Sequence, residues 1–114
     1  MLVDIQSIVE KARRDFENKD LDIELLKKLY QEYNPLDAID EFIQTALAQF
    51  PKLNCGLASV YLKHLLGGEI IKGTYENEPH TFLKIENTII DVTADQYGGQ
   101  KVYIGNVAKP WGIL

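Results

Sequence analysis

The sequence predicts an α+β fold in which N-terminal helices precede a small antiparallel sheet. Three observations carry this. Apolar residues recur three and four positions apart as far as Leu66, and short runs rich in β-branched and aromatic residues follow from Glu69 onward. Gly67-Gly68 stands at the change of period. Helices followed by a meander, with no alternation of the two, define the α+β class.

In the first helix Ile5, Ile8, Val9, Ala12 and Phe16 form an apolar stripe, Lys11, Arg13, Arg14 and Glu17 take the other side, and the pattern ends near Asn18. Ile23, Leu26, Leu29, Tyr30 and Tyr33 define a second helix, closed by Asn34-Pro35. Asn34 as cap and Pro35 as first residue open a third, from Leu36 to Phe50. The fourth, capped by Asn54 and ended by Gly67-Gly68, shows little polar surface beyond Ser59, Lys63 and His64, which marks it as central and buried. Strands are expected at 70–75, 80–86, 89–93 and 101–104, with breaks at Asn77-Glu78-Pro79, Glu86-Asn87-Thr88 and Gly98-Gly99. The tail 108–114 reads as irregular. With no repeat, linker or low-complexity run, residues 1–114 read as a single domain.

Seventeen acidic residues against twelve basic give a net charge of −5, and no Lys/Arg stripe could follow a run of phosphates, so nucleic acid is not an expected partner. No apolar stretch approaches the roughly 20 residues of a membrane span, and Met1-Leu2-Val3-Asp4 lacks the layout of a secretory leader. A cytoplasmic chain without membrane partners is expected, with export by a specialised route left open. A single cysteine excludes an internal disulfide and a multi-thiolate metal cage, so neither metal nor cofactor is expected.

That cysteine, Cys55, falls in the first turn of the central helix, where free backbone N–H groups and the helix dipole favour a thiolate. Gly56 beside it leaves room for a substrate backbone and keeps N–H donors open to a developing oxyanion. His80 opens a strand next to a loop, where a base can meet substrate. His64 lies nine residues after Cys55, nearly on the opposite side of the helix and about 13 Å along its axis. A two-residue turn at Glu86-Asn87 sets Leu83 and Ile85 against Ile90 and Thr88 on one face, and His80 and Phe82 near Asp91 and Thr93 on the other. Asp91, inside an apolar strand, needs a partner, and His80 is its diagonal neighbour. Asp95 is the fallback orienter. Gln49, six residues before Cys55, and Asn54 are candidate side-chain donors to an oxyanion or to substrate.

Asn54-Cys55-Gly56-Leu57-Ala58-Ser59, Pro79-His80-Thr81-Phe82 and Ile89-Ile90-Asp91-Val92-Thr93 together resemble the core of the transglutaminase-like branch of papain-fold cysteine enzymes. Phe82 and Thr93 match an aromatic two residues after the His and a Thr two residues after the Asp. The resemblance spans about Gln49 to Ile104. It implies Cys55 as nucleophile, His80 as general base and acid, Asp91 as its orienter, and Gln49 at the position of a papain-like glutamine. Only twenty-four residues separate Cys55 from His80, which implies a minimal core with an open groove.

The expected function is thiol-dependent acyl transfer on a protein or peptide, as a cysteine peptidase, amidase or deamidase, or transglutaminase-like transferase. The alternative is a non-catalytic acidic binding or immunity-type module on the same fold.

Overall fold

The computed structural model describes residues 4–113; Met1 to Val3, on which the reading of the chain start rests, and Leu114 lie outside the described residues. Asp4 and Asp22 open the first two helices by accepting from the backbone N–H of Ser7 and Leu25, both at 3.1 Å. These helices are α1 (Ile5–Asn18) and α2 (Ile23–Tyr33), and they bury Val9, Ala12 and Phe16, and Leu26 and Tyr30. Helix α3 spans Ile39–Gln49 and α4 spans Cys55–Leu66. The late start of α3 corrects the expected one at Pro35. Asn34 instead closes α2 through its N–H to the Tyr30 carbonyl (2.7 Å), and Gln31 holds Leu36 by two bonds, at 2.7 and 2.9 Å. Residues 35–38 are thus tied back onto α2. Helix α4 is central, packing on α2 and the sheet, with Leu57, Ala58, Ser59, Val60 and Leu62 buried.

The sheet has five antiparallel strands in the order β4-β3-β2-β1-β5: β1 Glu69–Tyr75, β2 Glu78–Ile85, β3 Thr88–Asp91, β4 Tyr103–Asn106 and β5 Trp111–Gly112. The β1–β2 turn is Glu76-Asn77, both with left-handed φ (49° and 70°), one residue earlier than the expected break, so Pro79 lies inside β2 opposite Thr74. The β2–β3 register is the expected one: Leu83 faces Ile90 and Ile85 faces Thr88 across the Glu86-Asn87 turn. The tail differs from expectation, since β5 pairs with β1 through Trp111–Tyr75 and Gly112–Thr74. Gly73 permits this, because a side chain there would overlap the Gly112 carbonyl.

Two apolar clusters result. Leu83, Ile90 and Val92 join the helices, while Tyr75, Phe82, Ile89, Ala94 and Trp111 form a second core on the opposite face, the one that carries His80 and Asp91. Among the described residues no helix is long and apolar enough to cross a membrane.

Candidate active site

Asn54 ends the loop after α3, and Cys55 begins α4. The first intrahelical bond is Ala58 N–H to the Asn54 carbonyl (2.7 Å), so the N–H groups of Cys55, Gly56 and Leu57 precede the helical ladder. Half-buried Cys55 lines a cleft of about 360 Å³ with Lys72 and Gly73 of β1 and Pro79, His80 and Thr81 of β2.

The imidazole of His80 is buried behind this cleft. Its Nε2 bonds the Oδ2 of Asp91 at 2.7 Å, which leaves Nδ1 buried without a hydrogen-bond partner. Such an orphan is costly in a core of ordinary function. No bond of full geometry forms at Nδ1, yet the Cys55 thiol is close enough for each group to shift the other's titration. Burial pushes the thiol up, but His80 and then the backbone N–H of Thr81 favour the thiolate more, and the net shift is down from 9.0. Burial also opposes the imidazolium, but the hydrogen bonds and charges of Asp91 and Cys55 outweigh it and raise His80 from 6.5 to about 9. Opposite shifts of this kind favour a thiolate–imidazolium pair.

Asp91 is held from both sides. Its Oδ1 accepts from the N–H (2.9 Å) and hydroxyl (3.2 Å) of Thr93, and its Oδ2 accepts from the indole Nε1–H of Trp111 (2.8 Å) besides His80. These donors offset the desolvation of a carboxylate that is only 2% exposed. Tyr97 packs edge-on against the His80 ring (5.3 Å between centroids) and donates its hydroxyl to the Pro79 carbonyl at 2.8 Å.

The remaining sequence candidates fall elsewhere. Gln49 is exposed at the end of α3 and does not line the cleft. Asn54 is fully buried, and its amide donates to the carbonyls of Ala46 (2.6 Å) and Lys52 (2.7 Å), with no side-chain cap on α4. Both of its protons are thereby used to fix the loop that aims Cys55, so Asn54 stands at the expected N-cap position without a side-chain cap bond, and its expected role as oxyanion donor is corrected to that of a tie. The side of Gly56 faces Tyr30 and Tyr33 of α2, where an added methyl would make ordinary contacts of 3.6–3.9 Å. The room expected for substrate at Gly56 is therefore occupied by protein. His64 lies exposed in a different groove, and Asp95, the fallback orienter, pairs with Arg13 at 2.6 and 2.8 Å.

Trp111 and Arg13 are the residues that the sequence reading missed. A lone tryptophan whose indole N–H needs a buried partner was the available signal for the first. For the second it was spacing: Arg13 lies four residues after Val9 and three before Phe16, which puts it on the apolar stripe and not on the polar side. It is 6% exposed and donates to the Val92 carbonyl (2.8 Å), bracing the strand end beside Asp91.

The cleft thus brings a thiol and an imidazole to one place, with the Asp91 carboxylate buried behind the imidazole. The model of the YunG protein family matches residues 37–110, and the chain belongs to that family. No curated protein and no solved structure matches it. The matched segment contains Cys55, His80 and Asp91, whereas Arg13 and Trp111 lie outside it.

Proposed function

We propose that this protein is a cysteine-dependent acyl-transfer enzyme with a papain/transglutaminase-like core, acting on a carboxamide or peptide carbonyl. The observation that carries the reading is the His80 ring, locked by Asp91 at Nε2, left without a hydrogen bond at Nδ1, and lining the same cleft as the Cys55 thiol. The Cys55 thiolate attacks the carbonyl carbon, and the oxyanion meets the N–H groups at the start of α4. His80 Nδ1 then gives its proton to the leaving nitrogen as the C–N bond breaks, which leaves a thioester. Water or an amine attacks the thioester, passes a proton to His80, and expels the thiolate. Asp91 holds the imidazole tautomer throughout and remains ionised. Hydrolysis and transamidation differ only in the acceptor, so both fit this site.

The test is the rate of Cys55 alkylation by iodoacetamide against pH, in the parent and in His80→Ala, with the fold of each checked by circular dichroism. A fast reaction near neutral pH that slows in the variant is expected. A slow reaction that rises only toward the pKa of about 8.5 of a free thiol, alike in both, rejects the proposal.

A further inference from the structure

Beyond the cleft, a groove of about 460 Å³ runs along α4 between α2 and β1, lined by Leu29, Tyr33, Val60, Lys63, His64 and Ile70, with Glu32 at its rim. It adjoins the Cys55 cleft where Tyr33 of the groove meets Lys72 of the cleft. Tyr33 belongs to the groove, lies 3.9 Å from where a side chain on Gly56 would begin, and has the ammonium of Lys72, a cleft residue, 5.5 Å above its ring. From Cys55 to His64, α4 advances about 13 Å. That is the span of about four residues of extended chain. The β1 wall also offers backbone, since β5 pairs only with Thr74 and Tyr75, and the outer edge of Glu69–Gly73 has no strand partner among the described residues. The charge is local and opposite to that of the whole chain. Exposed Lys63 and Lys72, with no carboxylate within 4.0 Å among the described residues, flank the path against Glu32 alone, in a protein of net charge −5.

We infer that this trough is the substrate path: it takes an extended acidic peptide segment of about four residues, with an apolar side chain on Leu29, Val60 and Ile70, and leads it to Cys55. The inference deepens the proposed function and rests on it for the role of Cys55. The apolar floor supplies affinity. The cations at the rim select acidic over basic chains and speed encounter.

The experiment compares alkylation of Cys55 in the intact chain by iodoacetamide and by iodoacetyl tetrapeptides of alternating Glu and Leu, with the iodoacetyl group at either end. In every case the sulfur forms a bond to the methylene carbon and iodide leaves. At least one acidic probe should react tenfold or more faster than iodoacetamide, with saturation, and faster than its Lys-Leu counterpart. The ratio of acidic-probe rate to iodoacetamide rate should fall several-fold in Lys63→Glu, an exposed position that does not contribute to the core. Equal rates for all probes, or a ratio indifferent to Lys63→Glu, would overturn the inference. An equal gain from acidic and basic probes overturns its charge selection. Because the trough is read as a ratio at one sulfur, a thiol that is slow toward iodoacetamide rejects the catalytic reading separately, while the ratio still decides on the trough.

Discussion

Asp91→Asn alters one atom and removes one charge, and its consequences follow from the four donors around the carboxylate. Thr93 offers two donors to one oxygen, and His80 and Trp111 offer two to the other. An amide has one accepting oxygen, so whichever way it turns, its NH2 group confronts a pair of donors. A buried mismatch of this kind costs about 1–3 kcal/mol. If the NH2 group faces His80, the imidazole must present a bare Nε2 and move its proton to Nδ1, the wrong tautomer for taking a proton from the thiol. The loss of charge acts as well. His80 rises from 6.5 to about 9 against the effect of burial, and Asp91 is the first of the groups that raise it. Without that bond and charge only Cys55 is left to offset burial, so the pKa should fall, by about 1.4 kcal/mol of preference for the imidazolium for each pH unit. The assay is an NMR titration of the His80 ring in both proteins. The parent should titrate near 9, and Asp91→Asn at least two pH units lower, with alkylation at neutral pH slowed at least tenfold. A parent value near 6.5, or a value unmoved by the substitution, would refute the reasoning.

Four further outcomes follow from the same geometry. On folding, the imidazole binds its proton more tightly and the thiol less tightly, so their effects on stability against pH oppose each other. Cys55→Ala keeps only the part of the imidazole's shift that Asp91 causes, which is fully present below pH 6.5 and lost as pH rises through the folded value; its melting temperature should therefore fall more steeply than the parent's as pH rises above 6.5. Trp111→Phe deletes one donor to a buried carboxylate and should cost about 1.5–3 kcal/mol in denaturant unfolding. Gly73→Ala should push β5 off β1 and expose the sole tryptophan, read as a red shift of its fluorescence. Gly56→Ala adds a methyl that meets Tyr30 at an ordinary 3.6 Å, and should leave stability within about 1 kcal/mol and the alkylation rate within twofold.

The periodic elements were legible because each buries one face. The α1 and α2 stripes, the buried α4 and the β2–β3 register all follow from side-chain alternation, and that register brought His80 beside Asp91. What failed was decided by contacts distant in sequence or by competing local bonds. Asn34-Pro35 has the composition of a helix start, but Gln31 captures Leu36 and delays α3. Two residues of β5 are too few to show a period, and they pair because Gly73 lets a backbone approach. Asn54 takes the N-cap position, yet two carbonyls near the end of α3 and in the loop after it claim the NH2 group that was expected to serve an oxyanion. Arg13 reads as surface by charge, and only its partners Asp95 and Val92, some eighty residues away, account for its burial.

The most direct measurement is the titration of Cys55 itself, followed by the ultraviolet absorbance of its thiolate as the difference between the parent and Cys55→Ala, with and without His80→Ala. A thiolate that forms below the free-thiol value of about 8.5 is expected in the parent, with an upward shift when His80 is removed. A thiol that titrates at or above about 8.5 in both backgrounds would mean that His80 does not favour its thiolate, and would contradict the account.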